Sequence, residues 1–227
     1  MLLQWSAPEY VPRSFLVSGV SGTNKAVKQT DTSFRLTKQV ADGLVDMQEV
    51  SKGLFLVQSE MAFKKETELC EEYPERKVFQ LSFCMNGICE WDYRQKRGEH
   101  YQLSPTQCSL QCGTFSQCVS RFGSEEPYRT LSISLEQERF LPLAEDLEAA
   151  HLIRRDNKIC THIFSTTPEI RLVLQQLLDC PPERKLRKLY LEGKVLELVS
   201  LFCEEAIGKQ KNDKEISRED YRCLMKA

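Results

Sequence analysis

Ten cysteines and three histidines are the side chains of this 227-residue sequence with the most capacity for metal or redox chemistry. The densest cysteine group is Cys108, Cys112 and Cys118, with Cys84 and Cys89 on either side of a nearby turn. Zinc sites commonly use cysteine pairs separated by two residues, and none of these spacings fits that signature. Structural thiols are therefore the favoured interpretation, because reduced cysteine packs as a small hydrophobic side chain. A metal or redox sensor built on Cys108, Cys112 and Cys118 is the alternative.

Signatures of catalysis are weak. His100, His151 and His162 are widely spaced and never paired, whereas a metal-binding cupin enzyme places a His-x-His pair, a glutamate and a later histidine around one ion. No Gly-x-Ser-x-Gly elbow, dinucleotide-binding glycine motif or Walker loop occurs. The sequence therefore predicts a protein that is not an enzyme and uses no cofactor. A cupin-fold enzyme that needs no metal is an alternative.

Five large side chains are candidates for a small-molecule pocket. They lie on or close to the most regular strand pattern of the chain and are Phe83, Met85, Trp91, Tyr93 and Phe115. Ligand pockets are mostly apolar, with a few polar groups that fix the orientation of the ligand. The sequence predicts that these residues bind a small ligand. The alternative is that they only fill a core.

Composition excludes several classes of function. The chain has 31 basic and 33 acidic side chains and a formal net charge of −2, whereas nucleic-acid-binding domains carry an excess of basic residues. No apolar run is long enough to cross a membrane, and the first residues lack the features of a signal peptide. We therefore expect a cytoplasmic protein whose cysteines stay reduced and which itself contacts neither DNA nor membrane.

Short apolar runs broken by turn residues predict an all-β unit between about residues 16 and 135. The clearest pattern runs from Val78 to Tyr93 and is interrupted by Asn86-Gly87, a dipeptide typical of a two-residue hairpin turn. We therefore predict a hairpin there. Further strands are expected over residues 54–63, 99–103, 107–112, 117–122 and 128–134. Strands of this length and spacing predict a small barrel or jelly roll.

Helical spacing begins at about residue 141. Thr166 or Thr167 is expected to cap a helix that starts at Pro168, and the residues 180–182 (CPP) are expected to end it. A second helix is predicted over residues 183–209. Residues 195–203 of this helix are apolar nearly all round, which indicates either two packing partners or burial within one chain. With two partners, one is a second subunit, and the predicted dimerisation residues are Leu189, Leu196, Val199, Phe202 and Cys203.

Four segments resemble the sensor domains of AraC/XylS-type transcription regulators. Residues 81–87 (LSFCMNG) are similar to a hairpin of those domains, and residues 167–181 (TPEIRLVLQQLLDCP) are similar to their first helix and its proline stop. The strongest match is residues 186–198 (LRKLYLEGKVLEL), which resembles a helix of the pyochelin-regulator branch, whose better-known members respond to ferric siderophores. Residues 216–220 (ISRED) resemble the segment that opens the helix-turn-helix domain of that group.

This resemblance implies an α+β architecture, a cupin-like small β-barrel (jelly roll) followed by a helical dimerisation segment. The expected domains are residues 1–140 for the ligand-sensing barrel and 141–211 for the dimerisation segment. Residues 212–227 are expected to form a linker and the start of a missing helix-turn-helix domain, because residues 208–215 are polar and 217–220 look like a capping box. The implied partners are a small-molecule effector, a second copy of the chain, and DNA through that missing domain only.

Overall fold

Twelve antiparallel strands and three helices form the described part of the chain in this computed structural model. The structure describes the backbone of residues 2–4, 14–17, 29–30, 33–34, 38, 40–94, 98–154, 156 and 158–224, and the side chains of residues 38, 40–70, 79–94, 98–154, 156 and 158–209. The strands are β1 (Leu2–Gln4), β2 (Ser14–Val17), β3 (Gln29–Thr30), β4 (Ser33–Phe34), β5 (Ala41–Ser51), β6 (Leu54–Phe63), β7 (Thr67–Asn86), β8 (Cys89–Tyr93), β9 (Tyr101–Leu103), β10 (Gln107–Phe122), β11 (Tyr128–Leu135) and β12 (Cys160–Ser165). The helices are α1 (Gln137–Ala149), α2 (Pro168–Leu178) and α3 (Arg187–Leu224).

Two long strands, β7 and β10, run through both layers of the barrel. The first part of β10 pairs with the second part of β7 and with β12. The second part of β10 pairs with the first part of β7 and with β8. A register shift between Phe115 and Gln117 separates the two parts. Because the same two strands change neighbours at this point, the sheet folds over into a cupin-like jelly roll, as the sequence predicted.

Gly113 is the residue of β10 against which residues 158–159 pack. Its φ of 133° lies in a region that residues with a side chain rarely adopt. A Cβ atom at this position would lie 2.5 Å from both the Cα of Ile159 and the carbonyl oxygen of Lys158. The backbone of residues 158–159 therefore packs directly against β10, which only glycine permits.

The strands bury two separate apolar clusters, one on each face of the sheet. Alternate side chains of β7 point to opposite faces, so Phe79, Leu81 and Phe83 join the cluster that the helices cover. The other cluster lies inside the barrel and contains residues from β5 to β10, among them Val45 and Trp91. The barrel therefore has an apolar outer face under the helices and a separate interior.

The predicted hairpin between Val78 and Tyr93 is wrong, although the turn at Asn86-Gly87 is present. Residues 79–83 of β7 already bond to Cys108–Cys112 on one edge and to Leu131–Leu135 on the other. No edge is left for the return strand, so β8 pairs with β10 and β9 instead. The expected faces of β8 are confirmed, with alternate residues buried.

The other strand predictions are confirmed with two differences. The strand predicted over residues 54–63 is β6, and that over 128–134 is β11. The strands predicted over residues 107–112 and 117–122 are one strand, β10, because its pairing with β7 continues through Gly113 to Phe115 and resumes at Gln117. Residues 160–165 were expected in the helical segment but form β12, which pairs with the first part of β10.

The helix predictions hold for α2 and fail at both ends of α3. Helix α2 begins at Pro168, and Thr167 Oγ1 accepts a hydrogen bond from the backbone N–H of Ile170 at 3.3 Å. Helix α3 begins at Arg187 rather than residue 183, after Leu186 with a φ of 56°. In place of the predicted linker and new helix start, α3 continues to Leu224.

The continuation of α3 follows from the residues of the polar run. Residues 209–215 (KQKNDKE) contain no glycine or proline, and lysine, glutamine and glutamate are good helix formers. None of the described helices is long and apolar enough to cross a membrane. The domain boundaries proposed from the sequence stay a prediction.

Replacing Gly113 by alanine should destabilise the fold. We expect Gly113→Ala to lower the free energy of unfolding by about 2 to 4 kcal/mol, because the new Cβ adds backbone strain and a clash with residues 158–159. The matched control is Gly123→Ala, since a Cβ there meets nothing within 4 Å. Chemical denaturation measures both. Equal effects of the two substitutions would contradict the role given to Gly113.

Candidate functional site

A wall of small polar side chains lies on the inner face of the sheet. On β7, β10 and β11 the residues that face the helices are apolar, so the residues between them face the barrel interior. In this way Ser132, Ser82 and Ser109 come into one row, directly opposite one another across the three strands. Ser134, Gln80 and Gln111 form the next row.

Hydrogen bonds connect most of this polar wall. Ser132 Oγ donates to Ser82 Oγ at 2.9 Å, and Gln80 Nε2 donates to the same oxygen at 3.0 Å. Ser134 Oγ donates to Gln80 Oε1 at 3.5 Å. Ser109 is fully buried, and its hydroxyl has no hydrogen-bond partner among the described residues. A buried hydroxyl without a partner is unfavourable, so Ser109 offers a free hydrogen-bonding group to a molecule inside the barrel.

An aromatic wall faces the polar one from the other layer. Tyr93 packs against Phe115 with 4.9 Å between ring centroids, and Trp91 stacks on Tyr101 at 5.5 Å. Burial raises the pKa of the Tyr93 hydroxyl well above its usual value, so this group stays protonated. Thr161 Oγ1 on β12 lies 3.4 Å from the Tyr93 hydroxyl oxygen and joins the two walls.

The five residues predicted to bind a ligand are divided between the two faces of the sheet. Trp91, Tyr93 and Phe115 lie together in the barrel interior. Phe83 lies on the opposite face, where its ring meets Phe202 of α3 edge-on at 6.1 Å, and Met85 packs against the same helix-covered cluster. Only the first three therefore share one space, and their role in binding a ligand stays a prediction.

The serines of the polar wall are candidate binding residues that the sequence interpretation missed. Their signal is a serine between large apolar residues, repeated in three strands. It reads LSF at residues 81–83, CSL at 108–110 and LSISL at 131–135. A strand with one apolar face and one face of small hydroxyls is typical of a wall that leaves space on its polar side.

The three cysteines of the proposed metal site do not come together. Cys108 and Cys112 lie in the helix-covered cluster, whereas Cys118 lies in the barrel interior. The register shift between Cys112 and Cys118 brings them to different faces. Burial raises the pKa of Cys108 to about 12, which keeps the thiol protonated. The described residues contain no group of three or more side chains placed to hold a metal ion.

The dimerisation residues predicted on α3 also divide into two sets. Leu189 and Leu196 are 65% and 44% exposed. Val199, Phe202 and Cys203 are 4%, 1% and 7% exposed because they pack against the sheet. In this structure only the two leucines are available to a partner.

A separate cleft of about 240 Å³ opens on the surface at the start of α1. Its walls are charged side chains of both signs and the backbone of the β5–β6 turn, including Lys52, Glu136 and Arg139. Apart from Gly53 its lining residues are all charged, and it contains none of the predicted site residues. The barrel interior is therefore the stronger candidate for a ligand site.

Several solved structures are similar to this chain at low sequence identity. Structures similar to this chain include the AraC-like transcriptional activator CuxR, at 8% identity and a TM-score of 0.47 over 70% of this chain and 56% of that one. ToxT from Vibrio cholerae is 12% identical, with a TM-score of 0.46 over 70% and 57%. A Klebsiella pneumoniae protein with a double-stranded β-helix domain is 12% identical, with a TM-score of 0.31 over 41% and 76%.

The family follows from the sequence match. The model of the regulatory protein PchR N-terminal domain matches residues 42–217, so the chain belongs to this family of AraC-type regulator domains. The resemblance found in the sequence is thereby confirmed. The chain spans less than two thirds of the length of the two solved regulators. No curated protein sequence matches it significantly.

The unpartnered hydroxyl of Ser109 gives a stability test of the site. In ligand-free protein we expect Ser109→Ala to leave the free energy of unfolding unchanged or to raise it by up to about 1 kcal/mol, because no hydrogen bond is lost. Ser132→Ala should lower it by about 1 kcal/mol, because its bond to Ser82 is lost. Denaturant unfolding of both variants measures these changes in the free energy of unfolding. A larger loss for Ser109→Ala would show that this hydroxyl is satisfied.

Proposed function

We propose that this chain is the effector-binding and dimerisation region of a cytoplasmic AraC-type transcription regulator. The observation that carries the proposal is the barrel interior, where the free Ser109 hydroxyl and the serine wall face Trp91, Tyr93 and Phe115. Such a combination of apolar surface and a few polar groups suits a small molecule. The role is binding rather than catalysis, in keeping with the family.

The two walls indicate the chemistry of the effector. The polar wall is neutral, built from hydroxyls and the amides of Gln80 and Gln111, and the opposite wall is built from aromatic rings. These groups suit an uncharged molecule with a flat ring and hydrogen-bonding groups along one side, since stacking takes one face and hydrogen bonds fix its edge. Such an effector would act by its different affinity for two arrangements of the chain.

The exposed stripe on α3 supports dimerisation. We define it as Leu189, Gly193, Leu196 and Ser200, which all lie on the exposed side of the helix. A Cβ at Gly193 would meet nothing within 4 Å, so the helix surface is open there for close approach of another helix. Two exposed leucines one heptad apart form the apolar seam of a helix pair.

Charges beside the stripe favour an antiparallel pair. Lys188 precedes Leu189, and Glu197 follows Leu196. In an antiparallel pair related by twofold symmetry, Leu189 lies opposite the partner's Leu196, and Lys188 opposite the partner's Glu197. A parallel pair would instead place like charges together, which is unfavourable. A regulator with this arrangement would carry two DNA-binding domains, one at the end of each α3.

Native mass spectrometry of freshly purified, reduced protein tests effector binding. We expect a co-purified organic mass and no metal. Ser82→Leu should abolish that mass because it puts a large apolar side chain in place of the hydroxyl between Ser132 and Ser109, whereas Ser124→Leu on an exposed loop should not. Thermal unfolding of both variants checks folding. A zinc ion in place of the organic mass, or turnover of the bound molecule, would contradict the proposal.

Sedimentation equilibrium tests the dimer. Leu196→Glu should raise the dimer dissociation constant about tenfold or more, because it places a charge in the centre of the interface. Leu141→Glu on α1 is the matched control, since Leu141 is 54% exposed. Lys188→Glu and Glu197→Lys should each weaken the dimer, and the double reversal should restore it. Weakening by Leu141→Glu alone would place the interface on another surface.

A further inference from the structure

Strand β5 is shared between the barrel interior and helix α3. Val45 and Met47 are buried on the interior side, and Val45 belongs to the interior cluster. Asp46 and Gln48 alternate with them and are half-buried on the side that faces α3. Strand β5 therefore contacts the barrel interior with one set of side chains and α3 with the other.

Arg187 is the first residue of α3, and only some of the N–H groups of its guanidinium donate hydrogen bonds. Its Nη1 donates to Gln48 Oε1 at 2.9 Å. Its Nε is buried and has no acceptor among the described residues. A guanidinium group is always charged, so a buried N–H of this group without an acceptor is unfavourable. The side chain therefore has an unused donor directed into the β5–α3 contact.

Asp46 is the complementary group. It lies two residues before Gln48 on the same face of β5 and is half-buried. Burial raises the pKa of its carboxyl group, and the charge of Arg187 acts against that change. A half-buried carboxylate thus lies within the electrostatic reach of a guanidinium whose Nε has no acceptor among the described residues.

A second arginine holds the same region in a fixed way. Arg139 of α1 donates from Nε to the Lys52 carbonyl oxygen at 2.8 Å and from Nη2 to Ser51 Oγ at 3.0 Å. Its Nη2 also lies 3.5 Å from a carboxylate oxygen of Glu192 on α3. Arg139 thus connects the end of β5 to the second turn of α3, and the contact at Arg187 is the one with unused groups.

We infer that Arg187 is a positioning residue with two alternative partners on β5, Gln48 in the present arrangement and Asp46 in a second one. Residues two apart on a strand are about 7 Å apart, a distance that an arginine side chain covers by changing rotamer. The exchange connects the first turn of α3 to a different residue of β5, and so changes the position of the exposed stripe relative to the barrel. This role in regulation rests on the proposed function, because it links the effector space to the dimer surface.

The pKa of Asp46, followed by NMR of its carboxyl carbon, tests the exchange. Gln48→Met removes the present acceptor at similar side-chain length, so Arg187 should move to Asp46 and lower its pKa by about one pH unit or more. The matched control is Gln58→Met, because Gln58 lies directly opposite Asp46 on β6 and has no bond to Arg187. An unchanged pKa of Asp46 in Gln48→Met, or an equal fall in Gln58→Met, would overturn the inference.

Two further measurements separate this inference from the proposed function. In an Arg187→Met background, Gln48→Met should no longer lower the pKa of Asp46, which a purely structural role of Gln48 would not predict. The dimer dissociation constant of Gln48→Met should change at least twofold, with no change in Gln58→Met. A protein that binds no effector and forms no dimer would overturn the proposed function while the pKa response of Asp46 stands. A dimer unaffected by Gln48→Met would overturn the link to the stripe.

Discussion

Strands that are buried on both faces are the constraint on which the rest of this structure depends. Side chains along β7, β10 and β11 alternate between the helices and the barrel interior. A shift of one residue in strand register would therefore move every side chain to the opposite face. The helix side is filled with large apolar residues such as Leu81 and Ile133. The interior side carries serines, which are small and polar. The helices are therefore held by hydrophobic burial, while the interior face of these strands presents hydroxyl groups beside the interior apolar cluster.

The sequence was sufficient to predict six of the twelve strands, β6 to β11, but not their partners. Period-two patterns identify a strand from its own residues, and β6 and β11 were found that way. The partner of a strand depends on which edges are already occupied, and this is a property of the whole sheet. Asn86-Gly87 is a good turn signal, yet β8 could not return along β7 because β10 and β11 had taken both edges.

The candidate site was predicted in part for a similar reason. Large aromatic residues can be selected as candidates from the sequence alone, and Trp91, Tyr93 and Phe115 do lie together in the barrel interior. Phe83 and Met85 were assigned with them because a hairpin would have placed them nearby. The serines, small and common, carry no signal one at a time. Their meaning appears only when three strands are aligned and Ser82, Ser109 and Ser132 fall into one row.

The apolar stretch of helix α3 was interpreted in the sequence in two ways, as a surface for a second subunit or as part of the core. Its apolar stretch is accounted for first by the sheet, which takes Val199, Phe202 and Cys203. The exposed side of α3 carries the stripe with its two leucines. In the inferred exchange, the position of this stripe relative to the barrel depends on the contact between the first turn of α3 and β5. An effector inside the barrel can change that position only if it stabilises one position of β5 more than another. The Arg187 contact suits this purpose because it is incompletely satisfied. Arg139 is held by the Lys52 carbonyl oxygen, Ser51 and Glu192, whereas Arg187 bonds to Gln48 and leaves its Nε without an acceptor among the described residues, so the inferred exchange concerns Arg187.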